Sequence, residues 1–74
     1  MFIKLTIMYV WEDEVVKEEI FYNINEIKKF FEPDKDDSVK GSMGAIVLQD
    51  DGVRYCKETP EEILKMINEA RKGV

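Results

Sequence analysis

Histidine is absent from the sequence, and cysteine occurs once, at Cys56. A lone thiol excludes an internal disulfide. Without histidine there is no Cys/His metal knuckle and no imidazole base to activate a serine or cysteine nucleophile. The N-terminal apolar run MFIKLTIMYVW is broken by Lys4 and Thr6 and leads into Glu12, Asp13 and Glu14 with no small-residue cleavage site. It therefore reads as a strand, neither a signal peptide nor a span of about 18–20 apolar residues. That reading and the unpaired thiol give the expectation of a cytoplasmic protein with no membrane partner. Cations are in deficit, with 11 Lys and Arg against 16 Asp and Glu and a net charge of −5. Such a balance repels phosphate backbones, so direct nucleic-acid binding is not expected.

What remains is a chain of 74 residues with a 45% hydrophobic content. That suits one small folded domain spanning residues 1–74. A domain of this size buries only about 60% of the surface its unfolded chain exposes, so core packing, helped by oligomerisation, must supply the stability.

Residues 2–10 (FIKLTIMYV) are rich in β-branched and aromatic types and form the first strand candidate. Alternation sets Ile3, Leu5, Ile7 and Tyr9 toward the core, and Phe2, Lys4, Thr6, Met8 and Val10 on a partly solvated face. The WEDE stretch, Trp11–Glu14, is turn-like by charge but has no Gly or Pro to define a turn type. Residues 15–22 follow as the hairpin partner. For residues 23–32 two readings stand: a helix started by Asn23 and Glu26, or a short strand after an Asn-rich turn. The tract 33–44 (PDKDDSVKGSMG) is the one long loop, and a dozen residues is long for a connection in a compact domain. Strand candidates 45–49 and 53–58 flank Asp51-Gly52, which suits a two-residue type I′ turn. That turn would set Leu48 opposite Tyr55, Ile46 opposite Lys57 and Val47 opposite Cys56.

The C-terminal KETPEEILKMINEARKG has both helix ends written in. Thr59 is the N-cap, Pro60 the first helical residue, and Glu62 closes a capping box; Gly73 is placed to end the helix. Glu61, Glu62, Arg71 and Lys72 complement the helix dipole. Ile63, Leu64, Ile67 and Ala70 are expected to form the buried stripe, with Met66 at its edge, and Glu61–Lys65 an i,i+4 ion pair.

The chemistry-bearing patterns are weak. Asp34–Ser38 (DKDDS) resembles the opening of a calcium loop, but Val39 and Ala45 stand where Gly and Glu are needed. Lys40–Gly44 (KGSMG) lacks the Lys-Ser/Thr and helix of a phosphate loop. The carboxylates cluster in turns, which are solvated, instead of standing as a buried pair in unlike environments. No cofactor and no enzymatic activity are expected. Candidate partner-binding residues are the acidic turn residues Glu12, Asp13, Glu14, Asp34, Asp36 and Asp37, with the aromatics Trp11, Phe30 and Phe31 as exposed anchors.

Four runs in order, IKLT (Ile3–Thr6), NINEI (Asn23–Ile27), IVLQDDG (Ile46–Gly52) and VRYCKETPEEI (Val53–Ile63), resemble the small flagellar FlbD-type family and related short proteins of bacteria and mobile elements. Those proteins open on a similar strand, carry an Asn-containing turn before a strand, and close with a Gly-turn hairpin and a helix. Here the first turn is WEDE in place of a Gly-containing one, the second strand is longer, and 33–44 is inserted. The resemblance implies strand over helix at 27–32, and none of its motifs is catalytic.

The expected fold is α+β: a small twisted antiparallel sheet of four or five strands, nearly barrel-like, with one C-terminal helix. The expected role is a non-enzymatic protein-interaction or accessory module that forms a homodimer. The alternative is an acidic inhibitor, or nucleic-acid mimic, that occupies a basic groove on a partner protein.

Overall fold

The computed structural model describes residues 1–73. Five strands and one helix follow in the order β1 (Phe2–Trp11), β2 (Glu14–Asn23), β3 (Ile27–Phe31), β4 (Gly44–Leu48), β5 (Val53–Cys56) and α1 (Pro60–Lys72). All strand pairs are antiparallel, in the sheet order β2-β1-β5-β4-β3. The fold is therefore a small α+β domain with an open sheet. It does not close into the barrel-like form, because β2 and β3 remain edges. They are nonetheless joined by a single 3₁₀ turn, Ile24–Glu26, and α1 packs on both β1 and β3. The sheet must curl for both to hold.

Of the two readings of residues 23–32 the strand holds, preceded by a single 3₁₀ turn in place of a helix. Asn23 accepts a hydrogen bond from Asn25 N and caps the 3₁₀ turn, and the strand β3 follows at once. The helical start does not propagate because Ile27 is already extended and its backbone N–H returns to Ile24 O.

The concave side of the sheet holds the core. Ile3, Leu5, Ile7, Tyr22, Ile24, Ile46, Cys56, Ile63 and Ile67 form one buried cluster, with Ile20, Ile27, Phe30, Leu48, Met66 and Ala70 packed against it. Two residues of β1 depart from the expected alternation. Tyr9 is exposed because the sheet beside it has ended, whereas Met8, on the other face, is 3% exposed. The loop between β3 and β4 explains Met8, since it folds back over the convex face. Gly41 sits above the Met8 side chain, and Tyr55 Oη donates to Asp37 O at 2.8 Å. Asp36 N to Asp34 Oδ1 (3.0 Å) and Ser42 N to Val39 O (3.0 Å) hold the loop in shape.

The helix ends are as the sequence implies, with Thr59 and Glu62 exchanging the two hydrogen bonds of a capping box and Pro60 in the first turn. The buried stripe is different. Ile63 and Ile67 are buried, Met66 and Ala70 flank them, and Leu64 is 49% exposed. At 100° per residue Leu64 stands a quarter-turn off the i, i+3, i+4, i+7 row. The two ion pairs among the described residues are Lys4–Glu19 and Lys28–Asp51; Glu61 and Lys65 make none.

The type I′ turn expected at Asp51-Gly52 is found instead in the first hairpin. Glu12 (φ 51°) and Asp13 (φ 66°) are both left-handed, so the two-residue type I′ turn lies in WEDE, between the paired Trp11 and Glu14. In the other hairpin Asp51 alone is left-handed, at φ 68°. There Leu48 N donates to Gly52 O and Asp51 N to Leu48 O, closing a three-residue loop, while Asp50 Oδ1 accepts from Gly52 N. Such a loop places a left-handed residue third. It shifts the register, so Val47 faces Val53, Ile46 faces Arg54, Ala45 faces Tyr55 and Gly44 faces Cys56. Cys56 thereby joins Ile46 on the core side.

Left-handed backbone costs a side-chain-bearing residue about 1–2 kcal/mol, and Asn-Gly meets the type I′ geometry with least strain. The double substitution Glu12→Asn/Asp13→Gly is therefore expected to stabilise the chain by about 1 kcal/mol, raising Tm by roughly 4–8 °C. Thermal melting followed by circular dichroism measures it, and an unchanged or lower Tm would contradict the turn assignment.

Candidate functional site

Strands β1 and β2 are each ten residues long, but β5 has four. The β1–β5 register ends at Met8–Tyr55, whereas β1–β2 pairing continues through Tyr9–Val16, Val10–Val15 and Trp11–Glu14. Beyond Met8 the hairpin therefore leaves the sheet as a two-stranded arm. A ten-residue strand spans roughly 33 Å, and the molecule measures 41 × 22 × 20 Å. The type I′ turn is what allows so long a ribbon, since its twist matches that of the strands.

The arm carries an unusual load for a solvated element. Val10 is 58% exposed and Trp11 65%, and Tyr9 and Val15 are exposed beside them. Alternation sets Tyr9, Val16 and Trp11 on the concave face and Val10 and Val15 on the convex one. The charges on the arm and the strand leading from it are five carboxylates, Glu12, Asp13, Glu14, Glu18 and Glu19, against one lysine, Lys17.

A notch of about 520 Å³ opens at the base of the arm, where β1 parts from β5. Its walls include Ile7, Met8, Tyr9 and Val10 of β1, Ile20 and Tyr22 of β2, and Val53 and Tyr55 of β5, with Val39 of the loop closing one side. Glu18 and Arg54 are its charged wall residues. Burial raises the pKa of the Tyr22 phenol, opposed by the Arg54 guanidinium and reinforced by Glu26.

The sequence-designated residues fall into separate places. Trp11, Glu12, Asp13 and Glu14 form the tip of the arm. Asp34, Asp36 and Asp37 are exposed on the loop that crosses the convex face. Phe30 and Phe31 lie on β3, at the opposite edge of the sheet from β2. Phe30 packs against the core cluster, and Phe31 is partly exposed. The arm and the β3 aromatics thus do not share one surface.

Val10, Val15, Phe2 and Phe21 were not singled out by residue type alone. Phe2 and Phe21 are 62% and 68% exposed, diagonal neighbours on the convex face at the far end of the ribbon, beside the Lys4–Glu19 ion pair. A two-residue turn at Glu12-Asp13 fixes the whole β1–β2 register, so its recognition would have placed all four.

Cys56 has no exposed surface, and its thiol donates to Glu58 O at 3.5 Å. Burial, with the negative charge of Glu58, pushes its pKa up from 9.0 to about 12. The folded chain therefore keeps the proton where the unfolded chain releases it. Stability is unaffected below pH 9 and falls above it, by up to about 1.4 kcal/mol per pH unit until the folded thiol itself ionises near 12. Urea denaturation at pH 8 and pH 10 is expected to show this loss, and Cys56→Ala to reduce the difference between the two.

Among the described residues no three of Cys, Asp and Glu gather into a metal-sized site, and no helix is long and apolar enough to cross a membrane. Comparison with protein-family models, with curated proteins and with solved structures finds no match to this chain.

Proposed function

We propose that this chain is a non-enzymatic interaction module that engages a partner protein through the β1–β2 arm and the notch at its base. The observation that carries the reading is the exposure of Trp11, Val10 and Val15 on an element that leaves the sheet. Single exposed apolar residues are ordinary, but here Val10 and Val15 pair on the convex face and Tyr9 and Trp11 adjoin on the concave one, each set rimmed by charge in the pattern of a binding surface, and tryptophan is among the commonest interface anchors. An arm that adds nothing to the core needs some other reason to hold these side chains in water. The FlbD-type resemblance, which contains no catalytic motif, supports an accessory role of this kind, and a buried free thiol suits the cytoplasm.

A second reading, an acidic inhibitor that fills a basic groove, draws on the five carboxylates of the arm and its approach. The two differ in what carries the binding, apolar contact or charge alone.

Affinity capture from the native cell, comparing the wild-type chain with Trp11→Ala/Val15→Ser, tests the proposal. It expects a set of proteins retained by the wild type and lost by the variant, with both folded by circular dichroism. Identical capture by the two chains would refute the arm as the binding element. Capture that survives the double variant but disappears in high salt would favour the acidic inhibitor.

A further inference from the structure

The ladder between β1 and β5 stops before either strand does. Thr6 O accepts from Lys57 N at 2.9 Å, and Thr6 N donates to Glu58 Oε1 at 2.9 Å, so Thr6 turns both backbone groups toward β5. Antiparallel alternation turns those of Met8 and Val10 the same way, and those of Ile7, Tyr9 and Trp11 toward β2. Met8 meets Tyr55, the last pair of the register. Continued by one hydrogen-bonded step, the same register would join Val10 to Val53. Instead Val53 O accepts from Arg54 Nη1 at 3.0 Å, and the notch lies between the two valines. The N–H and C=O of Val10 therefore stand at an open edge beside an apolar cleft. An edge of this kind accepts an added strand, with backbone bonds for affinity and a pocket for alternate side chains.

The charge around the cleft selects the strand. Glu18 is in its wall, and Glu12, Asp13 and Glu14 lie at the tip of the ribbon, against Lys17 on the same ribbon and Arg54 in the wall; Glu19 is paired with Lys4. The loop that contributes Val39 brings Asp34, Asp36 and Asp37 together with Lys35 and Lys40. A second copy of the chain would set one acidic arm against another, whereas a cationic segment meets complementary potential.

Resting on the interaction role proposed above, we infer that the notch receives an extended segment of a partner protein with lysine or arginine at its flanks and an apolar residue at its centre. The segment adds a short strand to β1 at Val10. Its central side chain enters the cleft on the convex side, beside Met8, Val39 and Val53, and its cations lie along Glu12–Glu14 and Glu18.

The test is selection of a phage-displayed random peptide library on the wild-type chain. Enriched sequences are expected to alternate basic and apolar residues. A synthetic peptide from that set, free of tryptophan, is expected to shift the emission of Trp11, the sole tryptophan, in a saturable, salt-weakened manner. Val10→Pro removes the free N–H and no β1–β2 hydrogen bond, and Val53→Lys sets a cation in the cleft wall. Each is expected to weaken the peptide by about tenfold or more, with thermal melts showing both variants folded. Enrichment of acidic or helix-spaced sequences, no enrichment at all, or an affinity unchanged from wild type in either variant would overturn the inference. So would a dimer in light scattering that Val53→Lys dissociates, because the occupant would then be a second copy. Trp11-dependent capture from the cell together with a failed selection leaves the interaction role standing and removes only this segment. Failure of both removes both.

Discussion

Replacing Ile63 with alanine is expected to lower stability by about 3–4 kcal/mol and Tm by roughly 15–25 °C. A chain of 74 residues has about 4–11 kcal/mol to lose. The side chain has no exposed surface and sits in the one cluster that joins both halves of the sheet to α1. It lies in the first turn of the helix, just past the capping box, so the surrounding backbone is fixed and cannot collapse into the space left. Leu64→Ala is the internal control. Leu64 is half exposed on the outer side of the helix, and its truncation should cost no more than about 0.5–1 kcal/mol. Urea denaturation of the two variants separates the cases; equal losses would mean that the helix is rotated from the position described.

That contrast marks where the sequence could be read and where it could not. Thr59, Pro60 and Glu62 specify the helix start through local hydrogen bonds, so the start is legible from three residue types. The strands are legible in the same local way, from β-branched and aromatic runs. The hairpin at Asp51-Gly52 departs from the two-residue form because Asp also tolerates left-handed backbone, so Asp51 becomes the last of three loop residues, 49–51, and every cross-strand partner changes. The core position of Met8 was hidden because the loop that covers it arrives from residues more than thirty positions away. The sequence named Trp11 and the acidic turn as candidates, but the notch depends on β5 ending before β1 does. That mismatch between distant strands has no local signature.

Gly44→Ala is the second substitution expected to have a large effect, a loss of about 3 kcal/mol or more. Alanine at a glycine that tolerates it stabilises by about 0.4–1 kcal/mol through the unfolded chain, so a loss here would have to come from the folded state. Gly44 faces Cys56 at the start of β4. A Cβ at this position would collide with Glu58 O and lie 3.2 Å from Cys56 Sγ. Neither neighbour can withdraw. Cys56 O accepts from Met43 N at 2.9 Å, Lys57 N donates to Thr6 O, and the Glu58 carboxylate holds Thr6 N. The next residue, Thr59, is the helix N-cap, so moving Glu58 would disturb the helix start and the β1–β5 junction together. The cost of overpacking, about 1–3 kcal/mol for an extra methylene in a tight core, should therefore be reached or exceeded here. Gly73→Ala serves as the comparison. Its Cβ would meet atoms no closer than 3.7 Å, and its φ of −77° suits any residue, so it should be neutral or slightly stabilising. A Gly44→Ala chain that melted within a degree or two of wild type would show that the segment 56–58 can retreat, and that the junction between sheet and helix is softer than its hydrogen bonds imply.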